Sequence, residues 1–188
     1  MSSNPPRIAV LGTRWLGAEI LTRLHAHGFD LALLTTSDQD RAASAARALK
    51  ITVTVKPDAI ALMASDFPWR PDLILCAHSF RIVPGWAIWW SRLGAIGYHP
   101  SILPAHKGRT SVEDTVRSGA RMTGGTVYWL TDSVDGGPPV VIRKEGVSRR
   151  LQHRVQILPN ETAGQLWRRA LAPLGAQMLE EAALGLLL

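Results

Sequence analysis

Two short segments of the chain bring together residue types that can move protons. The first is residues 97–108, Gly-Tyr-His-Pro-Ser-Ile-Leu-Pro-Ala-His-Lys-Gly. An apolar run ends at Tyr98, and His99 opens a polar loop that Pro100 and Pro104 stiffen, so the imidazole is held in one place. An imidazole titrates near neutral pH and can give or take a proton there. The second is residues 131–138, Thr-Asp-Ser-Val-Asp-Gly-Gly-Pro. Asp-Gly-Gly-Pro is turn chemistry in its own right, but this turn follows directly on a strand-like run over 125–130. A histidine and an aspartate, each just past the end of a strand, can form a general acid–base pair. The carboxyl ends of strands are also where open α/β sheets bind ligands.

The elements that must position this pair alternate along the chain. Residues 7–12, 30–36, 51–55, 72–77 and 94–98 read as buried strands, the third of them β-branched at nearly every position. Between them, Trp15, Leu16, Glu19, Ile20, Arg23 and Leu24 recur at helical spacing up to Gly28, a C-cap, and the alanine-rich stretch 38–50 reads as a second helix. Residues 58–65 predict a short helix. Trp86, Trp89 and Trp90 have helical spacing and read as core. Further on, 111–118 reads as a helix, 125–130 as a strand and 140–145 as an antiparallel strand. Thr162 and Gln165 have capping-box spacing and open a helix that Pro173 interrupts or restarts. The apolar tail to Leu188 is expected to pack on the body. Strands and helices in strict turn predict an α/β fold: a Rossmann-like three-layer domain, its mostly parallel twisted sheet covered by helices on both faces. One such domain is expected to account for residues 1–188.

Composition narrows the classes. The 188 residues are 46% hydrophobic and 19% charged, which is globular. A single cysteine, Cys76, excludes an internal disulfide and a cysteine-cluster zinc site, so no metal is expected. The start of the chain lacks the pattern of a secretory signal and no apolar run is long enough to span a membrane, so a cytoplasmic location is expected. The net charge is +6, carried mostly by arginine, which suits an anionic small molecule. The densest basic stretch, Arg143, Lys144, Arg149, Arg150 and Arg154, has no aromatic residues to stack bases, so no nucleic-acid partner is expected. Gly12-Thr-Arg-Trp-Leu-Gly17 sits where a dinucleotide fingerprint would sit, but Arg14 stands where its second glycine is needed. It reads as a strand-to-helix turn.

Taken together, the two segments resemble the folate-dependent formyltransferase family. Tyr98-His-Pro-Ser-Ile-Leu-Pro-Ala-His-Lys-Gly108 is similar to that family's His-Pro-Ser-Leu-Leu-Pro signature, and 124–138 to its loop with the catalytic aspartate. The likeness is most specific over 72–142 and includes motifs like those of glycinamide ribonucleotide formyltransferase. It implies a Rossmann-like formyltransferase fold with 10-formyltetrahydrofolate as co-substrate. It also implies His99 as the group that stabilises the oxyanion and Asp135 as the general base. By the same resemblance, the pterin is held by backbone at Phe80, Arg81, Ile82 and Val83 and by Thr131, Asp132, Ser133 and Val134.

The resemblance departs at Gly97, where most members carry an asparagine. The Tyr-His-Pro-Ser form without that asparagine is similar to the hydrolase domain of 10-formyltetrahydrofolate dehydrogenase, as is Arg81-Ile-Val-Pro84. Three readings therefore stand: formyl transfer to a small amine, hydrolysis of the donor to formate, and an impaired folate-binding protein. Arg14, His106, Lys107 and Arg109 are candidates for the acceptor side. The resemblance to methionyl-tRNA formyltransferases extends to no C-terminal barrel domain in this sequence.

Overall fold

The computed structural model describes residues 4–188. Contacts cluster into two compact units, one running to Ile96 with Leu187, the other covering Gly97–Leu186 with Leu188. Seven strands form one mixed sheet in the order β3-β2-β1-β4-β5-β6-β9, and β7 and β8 form a separate two-stranded ribbon.

In the first unit, β1 (Arg7–Gly12), β2 (Asp30–Thr35), β3 (Thr52–Val55) and β4 (Leu73–Ala77) are parallel neighbours, with β1 between β2 and β4. The apolar runs of β1, β2 and β4 are buried because a parallel sheet is covered on both faces, whereas β3, at the sheet edge, has no fully buried residue. Ile8, Leu11, Leu33, Leu73, Ile74 and Leu75 are almost fully buried. Helix α1 (Arg14–Ala26) adds Leu16, Ile20, Leu21 and Leu24 to that core. Gly28 follows it with φ +78°, the left-handed turn expected after a helix. Helix α2 (Arg41–Ala48) is capped by Asp40, whose carboxylate accepts from the Ala42 amide at 2.8 Å.

The glycines of the β1–α1 turn have a packing reason. A Cβ on Gly17 would lie 2.9 Å from the Gly12 carbonyl carbon, and one on Gly12 would lie 3.1 Å from the Gly17 Cα. Strand end and helix start touch, as the reading of a tight turn requires.

Residues 58–65 are not a helix. Only one 3-10 turn forms, at Ala64–Asp66. The Arg81 guanidinium takes the carbonyls of Lys56 (2.6 Å), Pro57 (2.7 Å) and Ile60 (2.7 Å), of which the last two are acceptors that a helix through this segment would need. Helix α3 (Gly85–Trp90) forms, but its tryptophans are not all core. Trp86 and Trp90 meet Phe67 edge-on, but Trp86 is 40% and Trp89 84% exposed, and the buried residue of the helix is Ala87. A six-residue helix buries one stripe, and position 89 lies off it.

Strand β5 (Ala95–His99) contains the division between the units. It extends one residue beyond the predicted end, so His99 closes the strand rather than opening the loop. In the second unit, α4 (Ser111–Arg117), β6 (Met122–Trp129) and β9 (Gln152–Gln156) follow, with β6 and β9 antiparallel from Met122↔Gln156 to Thr126↔Gln152. The ribbon of β7 (Val141–Lys144) and β8 (Val147–Arg150) is also antiparallel. Helix α5 (Ala163–Leu166) has the predicted capping box of Thr162 and Gln165. It runs through a π turn, Trp167–Leu171, into α6 (Ala172–Leu187), where Pro173 sits in the first turn. Pro173 thus restarts a helix rather than ending one. Val112, Leu166 and Leu171 form a core cluster here, with Val155 and Ile157 packed against it. Among the described residues no helix is long and apolar enough to cross a membrane.

Candidate active site

His99 reaches the site because β5 ends on it, and the loop after β5 is tied down along its length. Thr126 on β6 donates its hydroxyl to the Ser101 carbonyl at 2.7 Å and accepts from the Leu103 amide at 3.1 Å. Gln152 on β9 donates to the Leu103 carbonyl at 2.8 Å. The Ser101 hydroxyl donates to the Ala105 carbonyl at 2.5 Å. On the opposite face of β5, the Tyr98 hydroxyl donates to the Leu171 carbonyl at 2.7 Å. The strand is held from both sides.

Asp135 lies on the loop after β6. It adopts φ +47°, a left-handed conformation that aspartate tolerates better than most residues and that often marks a functional turn. The loop closes tightly behind it. A Cβ on Gly137 would sit 1.7 Å from the Trp129 carbonyl oxygen, so only glycine fits.

The two side chains meet. His99 Nδ1 lies 3.4 Å from Asp135 Oδ2, with side-chain exposures of 7% and 10%. His99 Nε2 lies 2.8 Å from the His106 carbonyl oxygen. A carbonyl only accepts, so Nε2 carries a proton in this arrangement. Asp135 is itself fixed: Oδ2 accepts from the Gly108 amide at 2.7 Å and Oδ1 from the Tyr128 hydroxyl at 2.7 Å. The Tyr128 ring stands edge-on to the imidazole, centroids 6.5 Å apart. The 106–108 segment therefore clasps both partners through its backbone, His106 bonding one and Gly108 the other.

Other sequence candidates fall differently. Thr131, Asp132, Ser133 and Val134 are exposed, Thr131 and Ser133 bonded to each other in a local turn. In the first unit, Phe80 and Ile82 are exposed and Val83 is buried. The Arg81 side chain is spent on backbone carbonyls and on Asp58 at 3.5 Å, which leaves the main chain as its means of contacting a ligand. Arg14 is exposed, and its amide donates to Asp40 at 2.8 Å. His106 contributes its carbonyl rather than its ring to His99. Near Arg14, the Thr13 hydroxyl donates to the His78 carbonyl at 2.5 Å, and burial together with the Arg14 charge holds the His78 imidazole below its ordinary pKa. The roles of Tyr128 and Gly108 went unread in the sequence. Tyr128 lies inside the quoted motif, and a tyrosine near the end of a buried strand, seven residues before the aspartate, was the available signal.

Known proteins share this arrangement's framework. The family model for formyl transferase matches residues 6–182. The chain is 30% identical to methionyl-tRNA formyltransferase of Thermotoga maritima over 192 residues, 93% of this chain and 56% of that protein. It is 28% identical to cytosolic 10-formyltetrahydrofolate dehydrogenase of Xenopus laevis over 188 residues, 94% of this chain and 20% of that protein. The chain thus spans from about half to a fifth of the length of these relatives. Among solved structures, glycinamide ribonucleotide transformylase 1 from Symbiobacterium toebii superposes with a TM-score of 0.74 at 22% identity, covering 96% of this chain and 87% of that one. That likeness extends the α/β fold across nearly the whole chain. With the family match spanning all but the ends of the sequence, the chain belongs to the formyl transferase family.

Proposed function

We propose that the chain transfers a formyl group from 10-formyltetrahydrofolate to a small amine, with His99 and Asp135 as the working pair. The observation that carries this reading is the buried imidazole facing an anchored carboxylate at 3.4 Å. The acceptor's nitrogen lone pair attacks the formyl carbon, a carbon–nitrogen bond forms, and the carbonyl electron pair moves to oxygen. His99 donates to that oxygen. The His106 carbonyl, which holds the Nε2 proton at rest, is a weaker acceptor than an oxyanion and gives it up. Asp135 takes, through a water, the proton that the attacking amine loses. When the intermediate collapses, the bond from the formyl carbon to folate N10 breaks and N10 takes the proton that Asp135 received, returned through the water. Tetrahydrofolate and a formamide leave. In this reading the main chain of Phe80, Arg81, Ile82 and Val83 recognises the pterin edge, whose donors and acceptors alternate as a backbone's do. Thr131, Asp132, Ser133 and Val134 are the second set of folate contacts.

Gly97 favours a second reading, hydrolysis. It lies two residues before His99 on the same face of β5 and is buried. With no side chain there, one donor to the oxyanion is lost, and nothing at this position orients an amine against competing water. The deciding experiment incubates the protein with 10-formyltetrahydrofolate, alone and with amino sugars, amino acids and phosphorylated amines, and measures tetrahydrofolate and formate. Amine-dependent turnover that His99→Ala abolishes is expected. Formate release without amine makes the chain a hydrolase. Folate-induced thermal stabilisation without turnover leaves a binding protein, and neither turnover nor stabilisation removes the folate reading altogether.

A further inference from the structure

Asp135 has two oxygens, and the structure uses them differently. Oδ2 faces His99 and the Gly108 amide, while Oδ1 is taken by the phenol of Tyr128 at 2.7 Å. The Tyr128 ring also stands at 90° to the imidazole, so one residue of β6 touches both members of the pair. A carboxylate free to rotate about its Cβ–Cγ bond would present its oxygens to the imidazole in varying geometry. A donor fixed on a strand and bonded to the far oxygen stops that rotation.

We propose that Tyr128 is a positioning residue for the His99–Asp135 pair: its hydroxyl locks the carboxylate with Oδ2 toward the imidazole, and its ring limits the tilt of His99. This rests on the formyl-transfer or hydrolysis reading for its kinetic consequence, but the hydrogen bond itself is testable without turnover. The titratable groups set against the carboxylate are His99 from β5 and Tyr128 from β6, with the Gly108 amide as the third contact.

Tyr128→Phe keeps the ring and deletes the hydroxyl. Turnover of 10-formyltetrahydrofolate is measured for both proteins, with melting temperatures alongside. The expected result is a fall in kcat of about tenfold, typical of one lost charge-assisted hydrogen bond. The donor KM stays within about twofold. In an Asp135→Asn background the same change costs nothing further, because the partner that Tyr128 positions has been altered. The second readout is the 13Cγ chemical shift of Asp135 by NMR at one fixed pH, which moves in Tyr128→Phe because the carboxylate loses its donor. A protein inactive with every nucleophile, yet with a moved Asp135 resonance, would defeat the functional reading and keep the Tyr128 contact. An active protein whose kcat and Asp135 resonance are both unchanged by Tyr128→Phe overturns the proposal. So does a loss of kcat that persists in full in the Asp135→Asn background.

Discussion

Position 97 shares a face of β5 with His99, one pleat back along the strand, so a side chain there projects toward the same region as the imidazole. Glycine offers nothing to hydrogen-bond a developing oxyanion, so in the proposed reaction His99 would carry that charge with less help. Gly97→Asn is therefore expected to raise kcat for amine acceptors by about tenfold, a fraction of what one oxyanion donor contributes in an established site. Steady-state kinetics of the two proteins, at fixed donor and varied amine, checks this. An unchanged kcat would mean that another group already fills the role. The residues proposed to do chemistry were legible because they fall in motifs: His99 at the end of an apolar run, Asp135 in an Asp-Gly-Gly turn after another. Their supports were not. The Gly108 amide and the His106 carbonyl act through backbone, which residue identity does not report, and Tyr128 acts across seven residues of strand and loop.

Among the elements, β1, β2 and β4 with helices α1 and α2 were readable since each buries a contiguous apolar run or stripe, and β3, which buries none, was readable from its β-branched residues. β8 and β9 were not, for their sequences, Val-Ser-Arg-Arg and Gln-His-Arg-Val-Gln, are polar and mostly exposed. They are strands because of what they pair with, β7 in one case and β6 in the other. The segment 58–65 shows the converse, a local helical tendency overridden by a distant arginine. Arg81 draws the carbonyls of Lys56, Pro57 and Ile60, at and just before the start of that segment, onto a guanidinium whose side chain is only 7% exposed. Arg81→Ala strands those carbonyls and is expected to cost about 2 kcal/mol, the size of a hydrogen bond to a charged group. Arg81→Lys recovers part of it, since a single ammonium cannot serve three acceptors in a planar fork. Urea unfolding of the three proteins measures both effects. Equal midpoints for wild type and Arg81→Ala would show that the 56–60 segment holds its course without the arginine.

At the scale of the whole molecule, proton linkage ties its stability to three titratable groups of the first unit. Burial opposes ionisation of Asp66 and Asp72, but their donors outweigh it. Lys56 at 2.6 Å and the Met63 amide at 2.6 Å hold the Asp66 carboxyl below the ordinary aspartate range. The Arg7 amide at 2.8 Å and Arg92 do the same for Asp72. Both carboxyls bind protons more weakly folded than unfolded. Their stabilisation is complete above the unfolded value, ~3.9, and is lost as pH falls through the lower folded values. His78 acts earlier. Burial first, and then the Arg14 charge, lower its folded pKa, while Asp40 pulls the other way; Phe80 meets its ring edge-on. The unfolded chain thus binds this proton more readily, and stability starts to fall as pH drops below ~6.5, the unfolded histidine value. The net charge of +6 grows as carboxylates and histidines take up protons, adding self-repulsion on the same side. The melting temperature is therefore expected to decline gently from pH 6.5 to 5 and steeply below 4. His78 sits at φ +56°, a conformation that asparagine accepts, so His78→Asn removes the proton site with little backbone strain. That variant should flatten the pH 5–6.5 segment and leave the steep acid limb where it was. Melting curves across that range decide the matter, and a slope between pH 6.5 and 5 that survives His78→Asn would assign the early loss to another group.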